Sequence, residues 1–182
     1  MKKVIAGKLK TVYRGVIFDI KQQLVTFPNG DVKNYEYAYR DDSVLILPFN
    51  EKGELMMIRE YRKGNNKVTW FLPAGRMDKK GEEPKSAAQR ELREELGFRA
   101  KNIKLFAKRF PSGHSVYNVY IYVAKDLVID PLIGDESMPI RVIPVAFKKA
   151  VTMALNGTIE NEFIAFNIIR FDYLRRIGKF KW

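Results

Sequence analysis

The chain has 182 residues, of which 46% are hydrophobic and 13% aromatic, enough to bury the core of one domain. It contains no cysteine and a single histidine, which excludes a disulfide framework, a thiolate zinc site and a multi-histidine metal site. The formal net charge of +12 suits phosphorylated partners, but the basic residues are scattered and match no nucleic-acid-binding module.

The N-terminal part of the chain has the pattern of a small antiparallel β unit. Its predicted strands are 15–20, 23–27 and 35–39. Lys21-Gln22 is the predicted connection between the first two, and Pro28-Asn29-Gly30-Asp31 is a strong turn sequence. The polar segment Arg40-Asp41-Asp42 marks the predicted boundary. We therefore expect residues 1–40 to form an N-terminal β extension and residues 41–182 the main domain.

The rest of the chain alternates strand and helix patterns without internal repeats, which is typical of a mixed α/β domain. The predicted strands are 43–49, 55–59, 68–71, 104–109, 117–124 and 141–144. The predicted helices are 84–96, 146–156 and 161–177. The N-terminus lacks the long apolar run of a signal peptide and no segment approaches transmembrane length, so we expect a cytoplasmic protein.

The helix predicted over 84–96 carries the most informative side chains. Residues three and four apart share a helix face, so Glu91 and Glu95 lie one turn apart with Glu94 beside them. Such carboxylates repel one another unless a cation lies between them, and Mg²⁺ prefers oxygen ligands together with water and substrate phosphates. The spacing therefore predicts a metal-dependent site for phosphate esters. The alternative is a salt-bridged surface helix.

These carboxylates belong to a longer motif. It reads Gly75, six residues, Glu82, seven residues, and then Arg90-Glu91-Leu92-Arg93-Glu94-Glu95-Leu96-Gly97. The motif resembles the Nudix box, a signature of hydrolases that act on nucleoside diphosphates linked to another moiety. The Nudix pattern is one residue shorter between Gly75 and Glu82, but the spacing from Glu82 onward matches.

The resemblance implies a Nudix-type α/β (α+β) fold, a mixed-sheet α/β/α sandwich with the small β extension at its N-terminus. It implies that the Ala74 carbonyl and the carboxylates of Glu91 and Glu95 bind Mg²⁺, with Mn²⁺ as the alternative ion. By the same resemblance, Glu94 joins a second ion or orients water. These ions would neutralise a diphosphate and lower the pKa of an attacking water.

Three further residues receive roles from the resemblance. Arg90 is a structural partner of the glutamates, because a guanidinium fork suits carboxylates. Glu82 does likewise or reaches a metal through water. Glu136, in a Gly-containing loop, is the candidate general base that closes over substrate, and its alternative is an exposed loop acid.

Short matches elsewhere resemble the branch that hydrolyses ADP-ribose and nucleoside diphosphate sugars. They are Tyr13-Arg14-Gly15, Arg59-Glu60-Tyr61-Arg62, Asp135-Glu136 and Asn156-Gly157-Thr158-Ile159. The branch implies Arg62 as a phosphate contact, Arg59 as second choice and Arg76 near the diphosphate; each is alternatively a surface charge. Enzymes of the ADP-ribose group often carry Glu where this chain has Phe71. We therefore expect a broader nucleotide-sugar hydrolase, with ADP-ribose and GDP-mannose as test substrates.

The resemblance also implies a homodimer built through the β extension. The residues themselves predict no membrane partner and no nucleic-acid partner, because no segment approaches transmembrane length and the basic residues are scattered. The products of the expected reaction are a nucleoside monophosphate and a sugar phosphate. A sensor that binds nucleotide sugars without cleaving them would be expected to lose metal-site acids, which this motif retains. Hydrolysis of capped RNA or of nucleoside triphosphates is the remaining alternative.

Overall fold

The N-terminal sheet comes first in the computed structural model, which describes residues 3–62, 64, 66–110, 113–134 and 138–181. Its strands are β1 (Ile5–Ala6), β2 (Lys10–Arg14), β3 (Asp19–Thr26) and β4 (Val32–Tyr39). β3 lies between β4 on one side and β1 and β2 on the other, all antiparallel. A short strand from the main domain, β10 (Ser115–Val116), adds to β4 in parallel. The extension and the main domain thus share one sheet.

The connection predicted at Lys21-Gln22 is wrong, because β3 continues through both residues. The chain turns earlier, where the Gly15 N–H donates to the Phe18 carbonyl at 3.0 Å. A Cβ on Gly15 would lie only 2.6 Å from that oxygen, so this tight turn requires glycine. Pairing with β2 and β4 on opposite edges keeps Lys21 and Gln22 extended. The predicted strand 15–20 is therefore a turn followed by the start of β3.

The main domain contains two further sheets and three helices within the described residues. The strands are β5 (Ser43–Pro48), β6 (Glu54–Arg62), β7 (Lys67–Phe71), β8 (Ala74–Arg76), β9 (Phe98–Arg109), β11 (Val119–Ile129) and β12 (Arg141–Ala146). The helices are α1 (Pro84–Glu95), α2 (Phe147–Leu155) and α3 (Glu162–Arg176). One sheet has the order β8-β5-β11-β9, with β5 and β11 parallel, and the other has the antiparallel order β12-β6-β7.

Strand β5 explains why helices cover both sides of the mixed sheet. All its residues are buried, and successive side chains point to opposite faces. Val44 packs in the same cluster as Leu92 of α1. Leu45, its neighbour in sequence, packs in the cluster that contains Ile168 of α3. The mixed α/β architecture with helices on both faces is confirmed.

Among the described residues, no helix has both the length and the apolar character needed to cross a lipid bilayer.

Candidate active site

Helix α1 is positioned by one apolar face. Pro84 occupies its first turn, and Gly97 follows its end with a φ of +76°, a conformation that favours glycine. Ala88 and Leu92 are fully buried against the mixed sheet. Glu91 and Glu95 lie beside this apolar face and are themselves buried, with 6% and 8% of their surface exposed. Their burial brings both carboxylates against the main chain of β8.

Close contact between α1 and β8 forms the base of the acidic site. The Ala74 N–H donates to Glu95 Oε2 at 3.1 Å. A Cβ built on Gly75 would lie 1.9 Å from Glu91 Oε1, so only glycine leaves room for the Glu91 carboxylate. The strand β8 is antiparallel to β5, which fixes this main chain relative to the core. The segment that follows the predicted strand 68–71 therefore includes a short strand that the sequence did not predict.

Arg90 joins the acidic residues into one network. Its Nε and Nη2 donate to the two carboxylate oxygens of Glu82 at 2.9 and 3.0 Å. Its Nη1 donates to Glu91 Oε1 at 2.6 Å and to Glu94 Oε2 at 2.9 Å. Nη2 also donates to the Arg76 carbonyl at 3.0 Å. The planar guanidinium thus holds carboxylates from the loop and the helix in one arrangement, as its fork geometry allows.

The electrostatics of this network are dominated by burial and by Arg90. Burial raises the pKa of the Glu91 carboxyl to about 7, against the opposing effect of Arg90, and repulsion from Glu94 and Glu82 adds to the rise. Hydrogen bonding to Glu82 raises the pKa of Arg90, so the guanidinium remains charged. Glu91 is therefore a buried carboxylate that Arg90 compensates only in part.

Two adjoining cavities open at this site. The acidic cavity, of about 380 Å³, is bordered by Glu91, Glu94, Arg90 and the main chain at Gly134. The second cavity, of about 470 Å³, is hereafter the basic cavity, because Arg40, Arg62 and Arg76 line it. Ala74, Gly75 and Arg76 border both. A ligand can therefore contact the carboxylates and the arginines at the same time.

The donor set of the acidic cavity fits a hard divalent cation. Glu91 and Glu94 offer carboxylate oxygens, the ligands that Mg²⁺ prefers. Burial disfavours the charged form of Glu91, and a bound cation would stabilise that form. Among the residues described, no three His, Cys, Asp or Glu side chains form a preassembled metal cluster. The carboxylates of Glu91 and Glu94 instead accept hydrogen bonds from Arg90. Metal binding would thus require these side chains to rearrange around Arg90.

The structure brings most of the predicted site residues together. Glu82, Arg90, Glu91 and Glu94 form the network, and Ala74 and Glu95 are hydrogen-bonded beside it.

The predicted arginines differ in position. Arg62 lines the basic cavity, where its guanidinium stacks 3.8 Å from the Phe71 ring centroid and forms an ion pair with Glu60. Arg76 lines both cavities. Arg59 donates to the Val68 carbonyl at 3.0 Å and lies over Trp70, outside both cavity linings.

Glu136, with its neighbours Asp135 and Ser137, lies outside the described residues. The chain just before it does reach the site, because Ile133 and Gly134 border the acidic cavity. A Cβ added to Gly134 would lie 3.5 Å from the Cβ of Glu94. The segment that leads to Glu136 therefore passes directly beside the acidic helix.

Sequence reasoning missed Arg40 and Tyr117 in the basic cavity. The Arg40 guanidinium stacks on the Tyr117 ring at 3.8 Å from its centroid, and both residues line the cavity. They are 77 positions apart in sequence and meet because β5 and β11 are parallel neighbours. The only local signal was the polar Arg40-Asp41-Asp42 segment, which we interpreted as a domain boundary.

Comparisons with known proteins agree with this geometry. A sequence profile of the NUDIX domain matches residues 39–164. The chain is 27% identical over 160 residues to the ADP-ribose pyrophosphatase of Bacillus subtilis (strain 168), covering 86% of each chain. It is 33% identical over 136 residues to the ADP compounds hydrolase NudE of Escherichia coli (strain K12), covering 72% of each.

A solved structure extends the similarity to the whole fold. The crystal structure of an ADP compounds hydrolase superposes with a TM-score of 0.83 at 26% identity, covering 99% of this chain and 98% of the other. The residues that match the NUDIX profile, 39–164, include α1 and the acidic network. The chain is therefore an enzyme of the Nudix hydrolase family.

Proposed function

We propose that this enzyme hydrolyses the diphosphate bond of nucleoside diphosphate sugars, giving a nucleoside monophosphate and a sugar phosphate. One observation carries the proposal: the acidic cavity and the basic cavity share the wall formed by Ala74, Gly75 and Arg76. A diphosphate placed at that wall has carboxylates for metal ions on one side and guanidinium groups on the other. Two relatives, an ADP-ribose pyrophosphatase and an ADP compounds hydrolase, support the same substrate class.

The proposed cofactor is Mg²⁺, with Mn²⁺ as the alternative. Glu91, Glu95 and the Ala74 carbonyl would hold it, and Glu94 is close enough to contribute to a second ion. When bound, such an ion neutralises diphosphate charge and makes water more acidic. The fit rests on a set of hard oxygen donors and on the room that Gly75 leaves at Glu91.

The protein's own groups have separate proposed tasks. Arg62 and Arg76 bind and orient phosphate oxygens from the basic cavity, which matches the bidentate geometry of guanidinium groups. Arg90 and Glu82 position Glu91 and Glu94. Glu94 or Glu136 accepts the proton of the attacking water, and Glu136 is favoured because the chain before it borders the acidic cavity.

The β extension is the proposed dimerisation element, and a homodimer the proposed assembly. Several of its apolar side chains are largely exposed, including Val4, Ile5, Val12, Tyr13 and Leu24. Exposed apolar groups clustered on one sheet are typical of an interaction surface. Residues 1–40 as the extension, 41–182 as the catalytic domain and a cytoplasmic location stay predictions.

The test is a hydrolysis panel with ADP-ribose, GDP-mannose, other nucleotide sugars, nucleoside triphosphates and capped RNA, each with Mg²⁺, Mn²⁺ or EDTA. We expect nucleoside monophosphate and sugar phosphate from at least one nucleotide sugar, only with a divalent ion. Binding of nucleotide sugars without turnover under every metal condition would instead indicate a sensor. Faster turnover of triphosphates or capped RNA would contradict the proposed substrate class.

A further inference from the structure

A separate cavity lies at the far end of β5 from the acidic site. Ser43, the first residue of β5, lines the basic cavity, whereas Phe49, directly after its end, lines this one, which has a volume of about 790 Å³. Six residue steps of about 3.3 Å separate the two positions, or roughly 20 Å. Among the described residues, its lining shares no member with either active-site cavity. We call it the distal cavity.

Aromatic rings form the inner wall of the distal cavity. The ring centroids of Phe49, Phe147 and Phe171 lie 5.2 to 5.6 Å apart. Phe147 meets each of the other two at an interplanar angle of 72°. Val151, half-buried on α2, extends the same apolar wall. The volume lies within the range of about 300–1,000 Å³ typical of small-molecule sites, and phenyl walls favour an aromatic ligand through stacked or edge contacts.

The rim of the distal cavity is charged, with one more cationic residue than anionic residues. Four cationic and three anionic residues line it: Lys125, Lys148, Arg175 and Arg176, against Glu51, Asp126 and Asp172. The Asp172 carboxylate forms ion pairs with Arg176 Nη2 at 2.6 Å and with Arg175 Nη2 at 3.5 Å. The Asp126 carboxylate accepts a hydrogen bond from the Asn102 side chain. Lys148 is exposed on α2 and forms no ion pair within the described part of the chain.

We infer that the distal cavity binds an aromatic organic anion, with its ring system against the phenylalanines and its carboxylate or sulfonate at the lysine and arginine rim. The apolar wall and the excess of cationic over anionic residues at the rim favour this class over a neutral or cationic aromatic compound. The overall charge of +12 favours the same sign of ligand. The inference is independent of the substrate proposed for the acidic site, because it uses other residues.

The test uses the full chain and anilinonaphthalene sulfonate, an aromatic anion whose fluorescence rises on binding. We expect saturable binding at one site per chain, with displacement by naphthoate and not by the cationic analogue naphthylmethylamine. The variant Val151→Trp fills the cavity and should abolish binding at this site. Equal displacement by the anionic and cationic competitors, or full binding by folded Val151→Trp, would overturn the inference.

Two matched substitutions on α2 separate the effect of a charge at the cavity rim from the effect of the overall charge of the chain. Lys148 lines the cavity, whereas its neighbour Lys149 is also exposed but lies outside the lining. Lys148→Glu should weaken binding by about three- to tenfold, because an exposed ion pair contributes modestly and charge reversal adds a repulsion of similar size, and Lys149→Glu by less than about twofold. Both side chains are exposed, so the comparison remains valid even if Val151→Trp fails to fold. Equal effects of the two substitutions would mean that only the general charge of the chain is being detected.

Discussion

At Glu95, one substitution separates charge from shape. We predict that Glu95→Gln lowers metal-dependent turnover by orders of magnitude, because a proposed ligand charge is lost at nearly constant volume. The amide oxygen still accepts the Ala74 N–H, so the thermal unfolding midpoint should change little. Turnover and thermal unfolding are the two measurements. Glu83→Gln, at the exposed position just before α1, is the control, and near-normal turnover by folded Glu95→Gln would refute the assignment.

A substitution at Gly75 tests whether the Glu91 carboxylate needs the space that glycine leaves beside it. The substitution Gly75→Ala places a Cβ where the Glu91 carboxylate now lies, 1.9 Å from its Oε1. We expect Glu91 to be displaced, with loss of turnover and a destabilisation of about 1–3 kcal/mol, as for other overpacked sites. Steady-state kinetics and denaturant unfolding measure both effects. Gly64→Ala is the control because its Cβ would meet nothing within 4 Å, and a Gly75→Ala enzyme with wild-type kinetics would contradict the proposed role of Glu91.

Individual side chains were predictable where a local motif fixed their partners. The pairing of Arg90 with the glutamates followed from the resemblance and from the fit of a guanidinium fork to carboxylates, and the structure shows it. The contact of Arg59 with the Val68 carbonyl did not follow, because it depends on the pairing of β6 with β7. The stacking of Arg40 on Tyr117 was not predicted for the same reason, because no local pattern specifies which distant strands become neighbours.

Among the elements, the segment after β11 carries the proposed general base. Glu136→Gln should lower kcat by about 10²- to 10⁴-fold with a smaller effect on KM, because a base that acts on the attacking water affects the transition state most. Thermal stability should remain unchanged. Glu83→Gln, at the exposed position just before α1, is again the control. Wild-type kcat in Glu136→Gln would leave Glu136 as a loop acid and direct the search for the base to Glu82, Glu94 and Asp135.

Helices and buried strands were predicted better than turns and edge strands. Pro84 and Gly97 delimit α1 within one or two residues of the prediction, and the apolar run of β5 was evident. The short strand β8 was missed, since Ala-Gly-Arg has no β pattern and is extended only because it pairs with β5. The predicted strand 104–109 actually begins at Phe98, because β11 continues far enough to pair with the residues that follow Gly97.

For the whole molecule, the central prediction is the homodimer. The exposed apolar side chains of the β extension should be covered by a second copy, so sedimentation at micromolar concentration should give twice the mass of the chain. Leu24→Asp, on β3 with 59% of its surface exposed, should shift the equilibrium towards monomer. Lys85→Glu, an exposed change on α1, should leave it unaltered. A fully active monomeric wild type would refute the proposal.

The Arg90 network affects how the protein folds before its proposed metal ion binds. Because the Arg90 guanidinium donates hydrogen bonds to Glu82, Glu91 and Glu94, the charges that would otherwise oppose folding are compensated in part from within the chain. EDTA should therefore abolish turnover while leaving the folded state intact by circular dichroism, and a chelator-induced unfolding would contradict this. We therefore expect a chain that folds without its proposed divalent ion, so that the supply of that ion would control turnover and not folding.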